Sequence, residues 1–369
     1  MSTEDRPGSE CFRFYAAEVS YYSGKVRPAL RYKQVPFVEV LPTAAAYREV
    51  ITPRTGLAMI PVIVTPEGET WQDSSDILDR LERRFPAPPL YPATPVQRVV
   101  SYVLELYADE FLVIPGLHYR WSFAESEAKA RADFAASTGD VEAANRFADM
   151  IKGFVPAFGI RAETAGVIEA HTADLLTLLS IHLGHNPYLH GARPSLADCA
   201  LMGPLYPHLY LDAVPGRLLR ETAPRVCHWI ERMNHPDPDS FGSWAPGDGL
   251  PPSLRALLEL VGRDAVPMIL DTARAFEAWA DANHPDGDLP RGVGMHETTL
   301  RGAKLERFIS TYTPWMLQRP LDAYRDLQPA ERAAVDRALA GTGVERLFAH
   351  TPRHRVERRP FKWRLACCR

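Results

Sequence analysis

Four hydroxyl-bearing side chains, Ser20, Tyr21, Tyr22 and Ser23, stand where the short apolar run CFRFYAA gives way to the helical pattern GKVRPALRYK. A hydroxyl in the first turn of a helix satisfies one of its open N–H groups. The same helix end stabilises an anion, and a hydroxyl beside it donates to that anion. Capping and anion binding are therefore two readings of one position. A second such place is WQDSSDILDRLE, where Asp73 and Ser74 open another helix directly after a strand. Ordinary capping is again one reading. In the other, Ser74 and the neighbouring N–H groups receive a carboxylate while Asp73 pairs with an ammonium, the two charges of an amino acid headgroup. Between the two places lies Ile60-Pro61 in GLAMIPVIV. Proline is tolerated at a strand start, and an X-Pro bond in a tight turn is a candidate cis peptide.

Other patterns point to structure more than to chemistry. Ser195 and Asp198 in RPSLADCALMGPLY form an S-x-x-D capping box, which fixes a helix start and carries no reaction. His118, Tyr119, Arg120 and Trp121 close a long helical pattern together. They read as a packed helix end or as a pocket wall, with His118 and Trp121, beside Tyr22, as the candidates for lining a substrate pocket. The Cys11, Cys199, Cys227, Cys367 and Cys368 spacings fit neither a metal site nor a disulfide framework, so no metal is expected and a reducing compartment is. Zinc-protease, P-loop, hydrolase-elbow and dinucleotide motifs are missing.

These residues need elements to hold them. Residues 11–85 alternate strand and helix: CFRFYAA, a helix, PFVEV, a short helix around AAAYREVI, a PVIVT/ETWQ hairpin, then amphipathic SSDILDRLERRF. This describes a small open α/β unit. PAPPLYPATP, residues 86–95, reads as a stiff linker. Residues 96–240 are helical in pattern, including VQRVVSYVLELYADEFLVIPGLHYRW as one long helix, with a weaker polar stretch over 123–160. Residues 241–369, after the break SWAPGDGLPP, read as a further helical block whose apolar faces, in PSLRALLELV and LERFISTYTPWMLQ, need the helical domain as partner. A formal net charge of -4, spread over both signs, argues against nucleic acid or an anionic membrane as the main partner. The one basic cluster, RHRVERRPFKWR, reads as a solvated tail or a strip docking on acidic surface. No apolar run is long enough to span a membrane, and a cytoplasmic location is expected.

In this order along the chain, SYYSGKVRPAL from Ser20, Ile60-Pro61, QDSSDIL, the proline linker, PSLADCAL and VCHWIERM resemble the glutathione transferase superfamily over residues 11–235. The resemblance implies a thioredoxin-like N-terminal domain on an all-α domain, here followed by a C-terminal helical extension. It implies glutathione as co-substrate, a small apolar electrophile as partner, and a homodimer. By residue matching, Ser20 is the hydroxyl that activates the thiol, with Tyr21, Tyr22 and Ser23 as competitors. Ile60, ahead of the cis-proline Pro61, pairs with the cysteinyl part, and Asp73 and Ser74 grip the γ-glutamyl group. Met59 stands where a Lys often contacts glutathione, and TPRTGLAMIP is longer than the usual segment. The implied reaction is thiol attack on an electrophilic carbon; glutathione-assisted isomerisation, ether cleavage or dehalogenation, and a non-catalytic binding module, are the alternatives.

Overall fold

The computed structural model describes residues 11–366. The acidic start of the chain, Cys367 and Cys368 lie outside the described residues.

The chain first lays down β1 (Phe12–Tyr15), α1 (Tyr21–Tyr32) and β2 (Phe37–Val40). The short α2 (Ala44–Ala46) runs through a wide helical turn, Tyr47–Ile51, into α3 (Thr52–Thr55), and β3 (Val62–Val64) and β4 (Thr70–Gln72) lead to α4 (Ser74–Arg84). The strands form one sheet of order β2-β1-β3-β4. β1 runs parallel to β2 and antiparallel to β3, and β4 is antiparallel to β3, which is the thioredoxin-like arrangement. Strand alternation divides the apolar side chains between two faces. Phe12, Phe14, Ile63 and Trp71 bury against α1 and α4, where Val26, Leu30, Ile77 and Leu78 wait, while Tyr15, Val62 and Val64 bury with Ile51 on the other side.

The helical part begins with α5 (Pro95–Glu110) and α6 (Val113–Trp121). The single long helix expected here is broken at Phe111 and Leu112. Pro115 explains why: its missing N–H is harmless only in a first turn, so the chain starts a new helix just ahead of it. The polar stretch expected only weakly is a helical hairpin, α7 (Ala124–Thr138) and α8 (Val141–Phe154), turned by Gly139 at φ +71. Then come α9 (Ala162–Leu183), α10 (Leu196–Pro204), which continues as a π-helical turn over Leu205–Tyr210, α11 (Ala213–Thr222) and α12 (Pro224–Asn234). The capping box at Ser195 and Asp198 is present, and buried Asp198 also accepts from Trp229 Nε1 at 3.1 Å. α1 crosses α10 closely because Gly24 lacks a side chain; a Cβ there would sit 2.5 Å from Pro207.

The region after residue 241 departs from the all-helical expectation. It holds α13 (Pro252–Leu260), α14 (Val266–Asn283), α15 (Thr313–Arg325), α16 (Pro329–Leu339) and α17 (Glu345–Phe348), but also two hairpins, β5 (Gly292–Leu300) with β6 (Ala303–Ser310) and β7 (Val356–Arg359) with β8 (Lys362–Leu365). LERFIS is thus strand, and helix begins only at Thr313. A two-residue loop, Arg301 at φ 51 and Gly302 at φ 83, has the positive dihedrals of a tight hairpin turn. α15 packs along α5 and α13 along α9. Buried Tyr107 and His171 tie α5 and α9 to this region through Asp264, with Tyr107 Oη 2.7 Å from His171 Nε2 and His171 Nδ1 2.8 Å from Asp264. Asp248, from the expected break, accepts the Val96 N–H at 2.9 Å and so caps α5. The basic cluster is folded back on acidic groups of the chain itself: Arg353 meets Asp281, Arg355 meets Asp322, and Arg364 meets Asp288.

Candidate active site at two helix N-termini

The turn from β1 into α1 places Ser20 at the N-cap with extended backbone, φ −86 and ψ 126. Its hydroxyl oxygen accepts the Ser23 N–H at 3.4 Å, a long bond that leaves the hydroxyl proton for another partner. Of its neighbours, Tyr21 is committed elsewhere. Its phenol donates to the Ala108 carbonyl at 2.6 Å, and its ring lies buried against His208 at 5.2 Å. Ser23 is fully buried and its Oγ has no hydrogen-bond partner. Tyr22 is partly exposed and packs on Tyr21. Burial, with Asp109 and Glu110 adding to it, holds its phenol well above the ordinary tyrosine range, so it stays protonated and can only donate its proton or accept.

At α4 the geometry is tighter. Asp73 is the N-cap at φ 76 and ψ 127, a left-handed dihedral that a side chain other than glycine rarely adopts. Such positions cost about 1–3 kcal/mol and persist where the surroundings over-determine them. Here Asp73 Oδ1 accepts the Ser75 and Asp76 N–H groups at 3.0 and 3.2 Å. Ser74 is 3% exposed. Ile60 is half-buried just outside the β3 ladder, whose pairing with β1 starts at Val62, and the Ile60-Pro61 bond is cis.

Beneath both termini lies a charged network that sequence reasoning missed. Lys25 of α1 is fully buried, and its Nζ reaches Ser75 at 2.7 Å, Glu105 at 2.8 Å and Asp109 at 2.6 Å. Arg319 of α15 adds a second cation, 2.8 Å from Glu105 and 2.7 Å from Asp79. Burial works against Glu105, but Arg319 and Lys25 outweigh it and hold its carboxyl down at about 2. Asp109 lacks the arginine and its Oδ1 has no partner, so burial pushes it up to about 7. The signal was present: Lys25 interrupts the apolar face of α1, and Glu105 and Asp109 sit four apart within the apolar pattern of α5.

Lys25 ties the start of α1 to Ser75 of α4, and both Asp109 and Asp73 act on the Tyr22 phenol, so the structure brings the start of α1, with Ser20 and Tyr22, to the start of α4, with Asp73 and Ser74. His118 and Trp121 are spent differently. His118 is buried, 3.0 Å from Glu169, with its ring on Tyr119 and Phe123, and Trp121 packs on Phe134 of α7. Between them Arg120 makes a buried fork onto Asp212, at 2.8 and 3.1 Å, and donates to the Val19 carbonyl, pinning the loop that leads into Ser20. HYRW is therefore a packed helix end that supports the site from behind. The described residues include no cluster suited to a metal ion, and no helix among them is long and apolar enough to cross a membrane.

Two family models match. Glutathione S-transferase, N-terminal domain, matches residues 14–89, and Glutathione S-transferase, C-terminal domain, matches residues 147–237. No curated protein matches the sequence. Similar solved structures include a beta-etherase from a Sphingobium species, 19% identical over 60% of this chain and 94% of that one, TM-score 0.45. A glutathione S-transferase from Methylobacterium radiotolerans in complex with glutathione sulfonate is 22% identical over 64% of this chain and 96% of its own, TM-score 0.39. A tau-class glutathione S-transferase from mango is 18% identical over 64% and 94%, TM-score 0.40. Both domain models fall in the family's order, the first on the sheet with α1 and α4 and the second on the helices up to α12, so residues 14–89 and 147–237 are the N- and C-terminal domains of the glutathione transferase superfamily.

Proposed function

We propose that the protein is a glutathione-dependent transferase whose bound thiolate attacks an electrophilic carbon of a small apolar co-substrate. The observation that carries this reading is Asp73, fixed at φ 76 at the start of α4 beside buried Ser74, because this geometry holds a carboxylate directly at a helix N-terminus. In this reading Asp73 takes the ligand ammonium and Ser74 the ligand carboxylate. The backbone of Ile60, ahead of Pro61, pairs with the cysteinyl part. Ser20 donates to the sulfur, and Tyr22 forms the adjoining wall. The sulfur forms the new bond to carbon while the leaving group departs with the old bonding pair.

The demand on Ser20 is modest. A thiol near pKa 8.5 must be lowered by roughly two units to be mostly ionised at neutral pH, about 2.7 kcal/mol. One hydrogen bond to a charged sulfur, about 1.5–3 kcal/mol, with a helix N-terminus at about 0.3–1, supplies that. Isomerisation, ether cleavage and dehalogenation use the same thiolate and separate only by their products. A non-catalytic binding module is the second reading, and one observation favours it: Tyr312 donates to Asp73 at 2.8 Å and so already uses part of the headgroup site.

Calorimetric titration with glutathione, followed by turnover of a generic electrophile, tests the proposal. Wild type binds and turns over; Ser74→Ala binds at least several-fold more weakly with turnover at saturation nearly unchanged, because its contact is to a part of the ligand that does not react. Binding without turnover by wild type selects the binding module. Unchanged affinity in Ser74→Ala removes the headgroup contact.

A further inference from the structure

Neither family model extends beyond residue 237, yet residues far beyond it lie on the start of α4. Tyr312, at the head of α15, donates its phenol to Asp73 Oδ2 at 2.8 Å. Oδ1 is already taken by two cap N–H groups, so Oδ2 is the oxygen left for a ligand ammonium, and 2.8 Å is the distance at which an ammonium nitrogen would sit. Arg358, on β7, holds the other side. Its guanidinium donates to both the backbone carbonyl and the side-chain oxygen of Gln72, and reaches Asp76 at 3.0 Å. A fixed cation beside the ammonium position opposes the ammonium further. Trp315 and Trp363 brace the pair: the Tyr312 ring lies tilted against Trp315 and edge-on to Trp363, and Arg358 lies 5.7 Å from the Trp363 ring.

The backbone that carries both side chains is anchored. α15 is locked to α5 by buried Met316 and Leu317. The β7–β8 hairpin is small, two strands of four residues, but it is pinned as well: Gln318 of α15 exchanges hydrogen bonds of 2.9 and 2.7 Å with the Val356 backbone, and the Trp363 carbonyl accepts the Leu289 N–H at 2.7 Å. Release is therefore a side-chain event: Tyr312 and Arg358 can turn about their own χ angles while α15 and the hairpin stay in place.

We propose that the C-terminal region is a gate on the glutathione headgroup site, closed by Tyr312 and Arg358, and that glutathione binds when both are released. The proposal rests on the glutathione reading above. Burial keeps the Tyr312 phenol protonated well beyond neutral pH, so the closed contact persists under ordinary conditions. Apparent affinity is then the intrinsic affinity reduced by the fraction of open molecules.

The experiment is glutathione binding by calorimetry and stopped-flow on the full chain, comparing wild type, Tyr312→Phe and Arg358→Gln, with circular-dichroism melts to verify folding. Tyr312→Phe keeps the ring and removes one hydrogen bond to a charged acceptor, so affinity rises about tenfold or more, mainly through the association rate. Arg358→Gln moves the same way and carries the test if the first variant does not fold. Equal or weaker binding by the variants, with wild type binding glutathione, overturns the gate and leaves the glutathione reading standing. If no form binds glutathione, that reading falls and the gate falls with it.

Discussion

The two helix N-termini that Lys25 joins are finished in different ways. α1 starts in ordinary extended backbone at Ser20, with one long cap bond of 3.4 Å and a hydroxyl proton left over. α4 starts at Asp73 in a left-handed dihedral, with two cap bonds of 3.0 and 3.2 Å and a tyrosine from 239 residues away on its free oxygen. The loosely finished end has a donor to spare, which suits a reacting sulfur. The tightly finished end has geometry to spare, which suits a part of the ligand that must only be held. Rigid binding and adaptable chemistry are thus divided between two helices that one lysine joins from below.

That lysine is where the comparison breaks first. Lys25→Met leaves Glu105 and Asp109 buried with one cation fewer, and the loss of one partner of a buried ion pair costs about 3–5 kcal/mol. Urea denaturation is expected to show this. A loss below about 1 kcal/mol would mean that the two helix ends are held independently.

The next effect is a pH slope. Asp109 binds its proton more tightly folded, near 7, than unfolded, near the ordinary 3.8. Its contribution to stability is therefore fully present below about pH 4 and is lost as pH rises to about 7, on the order of a few kcal/mol. Asp109→Asn keeps a neutral group there throughout, and the fall in stability between pH 4 and 7 should flatten in thermal melts. A slope unchanged in the variant assigns it to other groups.

Asp73 sharpens the contrast between the two ends. Asp73→Ala loses the cap and leaves the strained dihedral as it is, a cost of about 1 kcal/mol. Asp73→Gly loses the cap but relaxes the backbone, and should be the more stable of the two in the same denaturation series. The reverse order would mean that the dihedral is not strained in solution.

What could be read from the sequence was local. Caps at Ser20, Asp73 and Ser195 involve groups within a few residues of each other, so composition and order reveal them. The sheet unit was legible for the same reason, its strands short, alternating and bounded by turns. What stayed hidden was long-range. Lys25 meets Glu105 and Asp109 across 80 and 84 residues, and nothing in a helical pattern states which charge a buried lysine will find. The β5–β6 hairpin turns on Arg301-Gly302, which lacks the Asn-Gly or Asp-Gly signature of such turns. Tyr312 sat within an apolar stretch that reads equally well as helix, and only the fold carries it to Asp73.

The account turns on Ser20. Its hydroxyl cap is long and contributes little to stability, so Ser20→Ala should cost only about 0.5 kcal/mol. The thiol should notice far more. Ultraviolet titration of glutathione bound to wild type is predicted to show a thiolate pKa well below 8.5, rising by one to two units, roughly 1.4–2.7 kcal/mol, in Ser20→Ala, with affinity for the whole ligand changing much less. A bound thiol that titrates at the same pH in both proteins would contradict the assignment and shift the role to Tyr22 or Ser23.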